Sequence, residues 1–182
     1  SGQIRKGANI TYALSVDFLD ACLGTTKRLS LGDKTLNVSI PPGIKEGQQV
    51  RLAGQGEAGR FGGPAGDALI EVNIKNHPYF RRDDSNILLD LPISLNEAVL
   101  GGKVQIPTIH GPVSLNIPKG SSSGKTLRLK GKGIAPKGKA KGDQLVRLEI
   151  HLPEKIDDAL ETVLTDWAKH HDYNPRKKAG LE

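Results

Sequence analysis

Residues Pro118 to Leu129, PKGSSSGKTLRL, set a glycine- and serine-rich run ahead of Gly124-Lys125-Thr126, much as nucleotide hydrolases cradle a phosphate. A phosphate loop needs four residues between its first glycine and the Gly-Lys-Ser/Thr, so that successive N–H groups close around the anion, and then a helix. Only Ser121, Ser122 and Ser123 lie between Gly120 and Gly124. Thr126 to Lys130 then alternates, with Leu127 and Leu129 on one face, which predicts a strand. The stretch reads as strand–turn–strand, and nucleotide hydrolysis is set aside. The histidines offer no alternative chemistry. His77, His110, His151, His170 and His171 lack a nearby cysteine or paired carboxylates at ligand spacing. His170 and His171 are adjacent, so a helix would point them to different faces. Each is read as a surface residue. The single cysteine, Cys22, rules out an internal disulfide and a cysteine-based zinc site. No enzyme activity, metal or cofactor is expected.

The net charge is +6, and it is unevenly placed. From Lys119 to Lys141 there are eight basic residues and no acid. Lys125, Arg128, Lys130, Lys132, Lys137, Lys139 and Lys141 form a candidate polyanion-binding segment. With one arginine and no aromatic, the stretch fits a solvated hairpin better than a nucleic-acid surface.

The same stretch has a second copy. Ile40-Pro41-Pro42-Gly43 through Val50-Arg51-Leu52-Ala53-Gly54-Gln55-Gly56 matches Ile117-Pro118-Lys119-Gly120 through Leu127-Arg128-Leu129-Lys130-Gly131-Lys132-Gly133, 77 positions on (117 − 40). Leu23-Gly24 pairs with Leu100-Gly101, Ala21 with Ala98 and Leu14 with Leu91 at the same offset. Gly66-Asp67 pairs with Gly142-Asp143 at 76 (142 − 66). The chain is a tandem duplication followed by a tail. A long period repeated twice suggests paired small domains rather than a solenoid.

Each copy reads as mostly β with one short helix. Ile10, Tyr12, Leu14 and Val16 alternate, and Asp17–Leu23 predicts a helix stopped by Gly24. Its counterpart opens on the capping box Ser94-Leu95-Asn96-Glu97 and ends at Gly101-Gly102. Strands are expected over 27–31, 35–40, 49–52 and 68–74, and again over 103–106, 113–117, 126–129 and 144–150. The fold class is mainly β: two homologous small sandwich- or barrel-like domains, 8–82 and 83–152, then a C-terminal helix and tail over 153–180. In that tail Ile156, Ala159, Leu160, Val163, Leu164 and Trp167 form one helical stripe, which must bury either on its own domain or on another chain. No apolar run approaches the roughly 18 residues a membrane span needs, and no signal peptide is visible. Ser1-Gly2 and Leu181-Glu182 are set aside as expression remnants, and the abrupt entry into the first strand reads as a piece of a longer protein. A reducing, cytoplasmic setting fits the lone cysteine.

Taken together, the paired units, the Leu-Gly after each short helix, Ile-Pro-x-Gly, Gly-x-Gly, Gly-Asp, and His77-Pro78-Tyr79-Phe80-Arg81-Arg82 resemble the C-terminal region of DnaJ-type co-chaperones, from about Ala8 to Ala179. The resemblance implies a client-binding and dimerising fragment. Unfolded polypeptide would lie in an apolar groove on the first unit, lined by Tyr12, Leu14, Leu29 and Leu31, with Val72 and Phe80 near its end. The helix stripe Ile156, Leu160, Val163, Leu164 and Trp167 would make a homodimer. The family's J-domain and its His-Pro-Asp are absent, since His77-Pro78-Tyr79 is a different tripeptide, so an Hsp70-type (DnaK) partner would be engaged through a part this sequence lacks. The cysteine-rich zinc insert is absent too, which resembles the zinc-less, curved-DNA-binding-protein type and keeps DNA in view as a partner.

Overall fold

A computed structural model describes residues 2–182. The chain forms two compact units, Ser1–Ile150 and His151–Glu182. In the first unit, the first repeat runs β1 (Ile10–Val16), α1 (Phe18–Leu23), β2 (Thr25–Leu31), β3 (Lys34–Ile40), β4 (Gln49–Leu52) and β5 (Ala68–Ile74). After β6 (Phe80–Asp83), the second repeat runs β7 (Asn86–Ile93), α2 (Leu95–Leu100), β8 (Gly102–Ile106), β9 (Val113–Ile117), β10 (Thr126–Leu129) and β11 (Gln144–Ile150). The expected strands are present, several starting one or two residues earlier. The fold is mainly β.

Both repeats use one topology. β1 lies parallel to β5, which pairs antiparallel with β4, while β2 and β3 form a separate hairpin. In the second repeat β7 lies parallel to β11, β10 flanks β11, and β8 pairs with β9. The repeats differ at one edge. β6 adds antiparallel to β7, opposing Phe80 to Leu89 and Arg82 to Ile87. The boundary expected at 82/83 therefore falls inside a strand whose ladder partners belong to the second repeat.

Period-2 alternation builds each core. In β5, Ala68, Ile70 and Val72 are fully buried and meet Leu36, Val38 and Ile40 of β3. Each large aliphatic side chain removed from water contributes about 1.5–3 kcal/mol. The second core gathers Ile87, Leu89, Ile106, Leu115, Ile117, Val146 and Leu148, and it also takes Phe18 and Cys22 from α1. α1 thus serves both cores, since Ala21 points into the first.

Two repeated polar contacts explain the Gly-x-Gly and Gly-Asp motifs. Asp67 accepts from the Gly54 N–H at 2.9 Å, and its own N–H donates to Asn9 Oδ1 at 2.8 Å. Asp143, Gly131 and Asn86 do the same at 2.7 and 2.9 Å. The preceding glycines serve close approach: a Cβ at Gly66 would collide with the Ala8 carbonyl, and one at Gly142 with that of Ser85. Ser94 and Glu97 form the expected capping box. Gly124 turns into β10 with φ +90° and donates to the Leu148 carbonyl, so Gly120–Thr126 is a turn feeding a ladder.

In the tail, α3 (Asp158–His170) precedes the single turn α4 (Pro175–Lys178). The Asp157 carboxylate caps α3 by accepting from the Leu160 N–H at 2.8 Å. The helix therefore begins after Ile156, and this first residue of the expected stripe precedes the cap.

Candidate peptide-binding face and the junction between repeats

Tyr12 and Leu14 project from β1, and Leu29 and Leu31 from β2, all toward the first core. All four are half-buried, so each keeps part of an apolar surface in water. Both strands are outer strands, and among the described residues no strand pairs with their far sides. Ile10 N–H donates to the Asp67 carbonyl and Val16 C=O accepts from Lys75, so the even-numbered residues of β1 bond toward β5. Alternation leaves the main-chain groups of Thr11, Ala13 and Ser15 facing the open edge.

Val72 and Phe80 are placed differently. Val72 is fully buried in the first core, on the central strand of its sheet. Phe80 is 4% exposed and belongs to the second core. Neither lines the open face of β1 and β2; Val72 supports that face from beneath, and Phe80 packs in the core of the neighbouring repeat.

Repeat symmetry gives an internal comparison. Tyr12 corresponds to Leu89, Leu29 to Ile106 and Leu31 to Thr108. The second-repeat residues are only 4%, 1% and 6% exposed. β6 covers the edge of β7 that remains open on β1.

The junction holds residues whose role the sequence did not reveal. Arg82 donates from Nη1 to the Ile44 carbonyl at 2.5 Å, from Nη2 to Gly43 at 2.6 Å and from Nε to Asp84 at 2.7 Å. It ties the Ile-Pro-x-Gly turn of the first repeat to β6. His77 Nδ1 accepts from the Tyr79 and Phe80 N–H groups, each at 3.2 Å, so this histidine is a turn cap rather than a plain surface residue. The His-Pro-x-Phe-x-Arg motif was the available signal, but spacing alone could not show what its ends would grip. Burial pushes the Cys22 thiol up to about 11, against a smaller opposing pull from Arg82. The Asp67 carboxyl is held below the usual carboxylate range by the Gly54 N–H and then by Arg51.

On α3, Leu160 is half-buried, while Val163, Leu164 and Trp167 are exposed, as is Ile156 ahead of the cap. The Trp167 and His171 rings stack with centroids 4.2 Å apart. On the lysine-rich segment Lys125, Lys130, Lys137, Lys139 and Lys141 are exposed and Lys132 is half-buried. Arg128 sits 3.6 Å from Asp143. No cluster of three metal-ligating side chains occurs among the described residues, and no described helix is long and apolar enough to cross a membrane.

The module is duplicated, and the partly exposed Tyr12, Leu14, Leu29 and Leu31 stand on two strands that each end a sheet. The family model described as DnaJ C terminal domain matches residues 10–153. The chain belongs to the DnaJ C-terminal domain family. It is 47% identical over 150 residues to the chaperone protein DnaJ of Streptococcus mutans, covering 80% of this chain and 40% of that protein. It is 41% identical over 146 residues to that of Clostridioides difficile, covering 80% and 38%. The chaperone protein DnaJ 2 of Corynebacterium glutamicum is 43% identical over 136 residues, covering 75% and 34%. The chain thus spans about two fifths of these curated relatives or less.

Proposed function

We propose that this chain binds unfolded or non-native polypeptide segments in the groove formed by Tyr12, Leu14, Leu29 and Leu31. It would do so as the client-binding part of a cytoplasmic co-chaperone working with an Hsp70-type chaperone in protein folding. One observation carries the reading: these four apolar side chains are half-exposed, whereas Leu89 and Ile106, equivalent to Tyr12 and Leu29, are closed off. Extended peptides recognise such a site by main-chain hydrogen bonds to an open edge and by alternate side chains in apolar pockets. The role is that of a binder rather than a catalyst, of the zinc-less type.

A single shallow groove binds weakly. The exposed residues Val163, Leu164 and Trp167, with Leu160 and Ile156, support pairing of two chains through α3, which would present two grooves to one client and raise its effective affinity. A second reading, polyanion or DNA binding, is favoured by the run of exposed lysines, which have no acidic residue among them.

A titration at low and high salt with a labelled extended apolar-aromatic peptide and a short DNA duplex tests both. Peptide binding should survive salt and weaken at least about tenfold in Leu14→Asp and Leu29→Asp, because the groove cannot desolvate a carboxylate without a partner. Unchanged circular dichroism would show that these residues are not core. If only DNA binds, with a steep salt slope, the lysine segment is the working surface and the groove reading fails. Sedimentation should report a dimer that Trp167→Asp converts to a monomer.

A further inference from the structure

The surface folds inward where the two repeats meet, leaving a cleft of about 1050 Å³. A smaller hollow of about 400 Å³ shares Phe18, Lys75, Asn76 and His77 with it. The floor is aromatic. The His77 ring lies 4.7 Å from that of Phe80 and 5.6 Å from that of Phe18. Concavities of this size are where ligands dock, and this one sets a charged rim around its aromatic floor.

The walls carry four cations, Lys45, Lys75, Arg81 and Arg82, against two anions, Glu46 and Asp84. Both anions are already engaged. Glu46 accepts from the Ile74 N–H at 2.6 Å, and Asp84 pairs with Lys45 at 3.5 Å. Lys75 reaches Asp17 at 3.8 Å and Arg81 reaches Asp90 at 2.9 Å. Among the described residues, the Arg82 donors meet backbone carbonyls and no carboxylate. Carbonyl dipoles orient a guanidinium without cancelling its charge, so a half-buried, uncompensated cation faces an aromatic floor.

We propose that this junction cleft is a binding site separate from the β1–β2 groove, and that its ligand is an acidic peptide segment carrying one large apolar or aromatic side chain. That side chain lies on Phe18, His77 and Phe80. Its flanking Asp or Glu residues meet Arg82 and Lys75. A nucleic-acid strand fits less well, because its unbroken phosphates would pass the wall carboxylates of Glu46 and Asp84. A peptide can space its acids to avoid them. Such a ligand touches both repeats and holds the junction closed.

The test uses the full chain and a fluorescein-labelled pentapeptide with one phenylalanine among aspartates and glutamates. Controls are a lysine version, an acidic version without phenylalanine, and an oligothymidylate of similar charge. The acidic aromatic peptide should bind more tightly than all three, weaken severalfold between about 0.05 and 0.3 M salt, and shift the amide resonances of Asn76 and His77. Lys75→Glu should weaken it roughly tenfold. Leu29→Asp should leave it unchanged while impairing the apolar client peptide, which separates this site from the groove. If Lys75→Glu disturbs the fold, Arg81→Gln replaces it and should weaken binding severalfold. Equal binding of the lysine version overturns the proposal, as do shifts confined to β1 and β2, tighter binding of the oligothymidylate at the cleft, or no binding at all.

Discussion

Arg82→Ala tests whether the two repeats are one cooperative structure. The guanidinium makes three hydrogen bonds of 2.5–2.7 Å to carbonyls, two of them on the far repeat. A hydrogen bond to a charged group contributes roughly 1.5–3 kcal/mol when its partner would otherwise be left unsatisfied. The site is only partly buried, so water can reach some of the freed carbonyls, and the three contributions do not add. A net loss of about 2–4 kcal/mol is expected. With a urea slope of about 1–3 kcal/mol/M, the midpoint should fall by about 1–2 M. The first repeat leans on the second through this contact and through Phe18 and Cys22, so the transition should also broaden or split. Arg82→Lys should recover little, because a single ammonium cannot reproduce the planar fork. Urea unfolding followed by far-ultraviolet circular dichroism decides the matter. A loss below about 0.5 kcal/mol with an unchanged single transition would refute the clamp.

Asp67→Asn probes acid stability. The Asp67 carboxyl has its folded-state pKa depressed, so its contribution is present above the unfolded value of about 3.9 and is lost as pH falls through the folded value. The wild type should be more stable at pH 7 and converge with the variant in acid; parallel curves would contradict this. Cys22, raised to about 11 by burial, should resist alkylation at pH 8 in the native protein and react at once in denaturant. Fast native labelling would mean that α1 opens readily. Gly66→Ala and Gly142→Ala should each destabilise, since the added methyl meets a backbone carbonyl at equivalent places in both repeats. A harmless substitution at either would show that the loop relaxes.

Much of this protein is determined locally and is legible in its residues. The 77-residue offset, the alternation in β3, β5, β9 and β11, the Ser94–Glu97 capping box and the Gly-Asp pairs each encode their own element. Such signals need only neighbouring residues, and the mainly β, duplicated fold follows from them, as does the family resemblance. Alternation also names the residues that face a core. It does not say what else covers that face. Tyr12 and Leu89 occupy equivalent positions, and only the placement of β6 leaves one half-open and closes the other. Val72 and Phe80 are expected from sequence near the end of the groove, yet one lies on a central strand and the other in the neighbouring core. Ile156 matched the helical period but precedes the Asp157 cap, because a cap fixes where a helix starts and periodicity does not. Arg82 finds its carbonyl partners on a turn 38 and 39 residues earlier in the chain. Contacts of that range depend on how two repeats dock, and so the tertiary structure alone decided which apolar face stayed open and where the junction cleft formed.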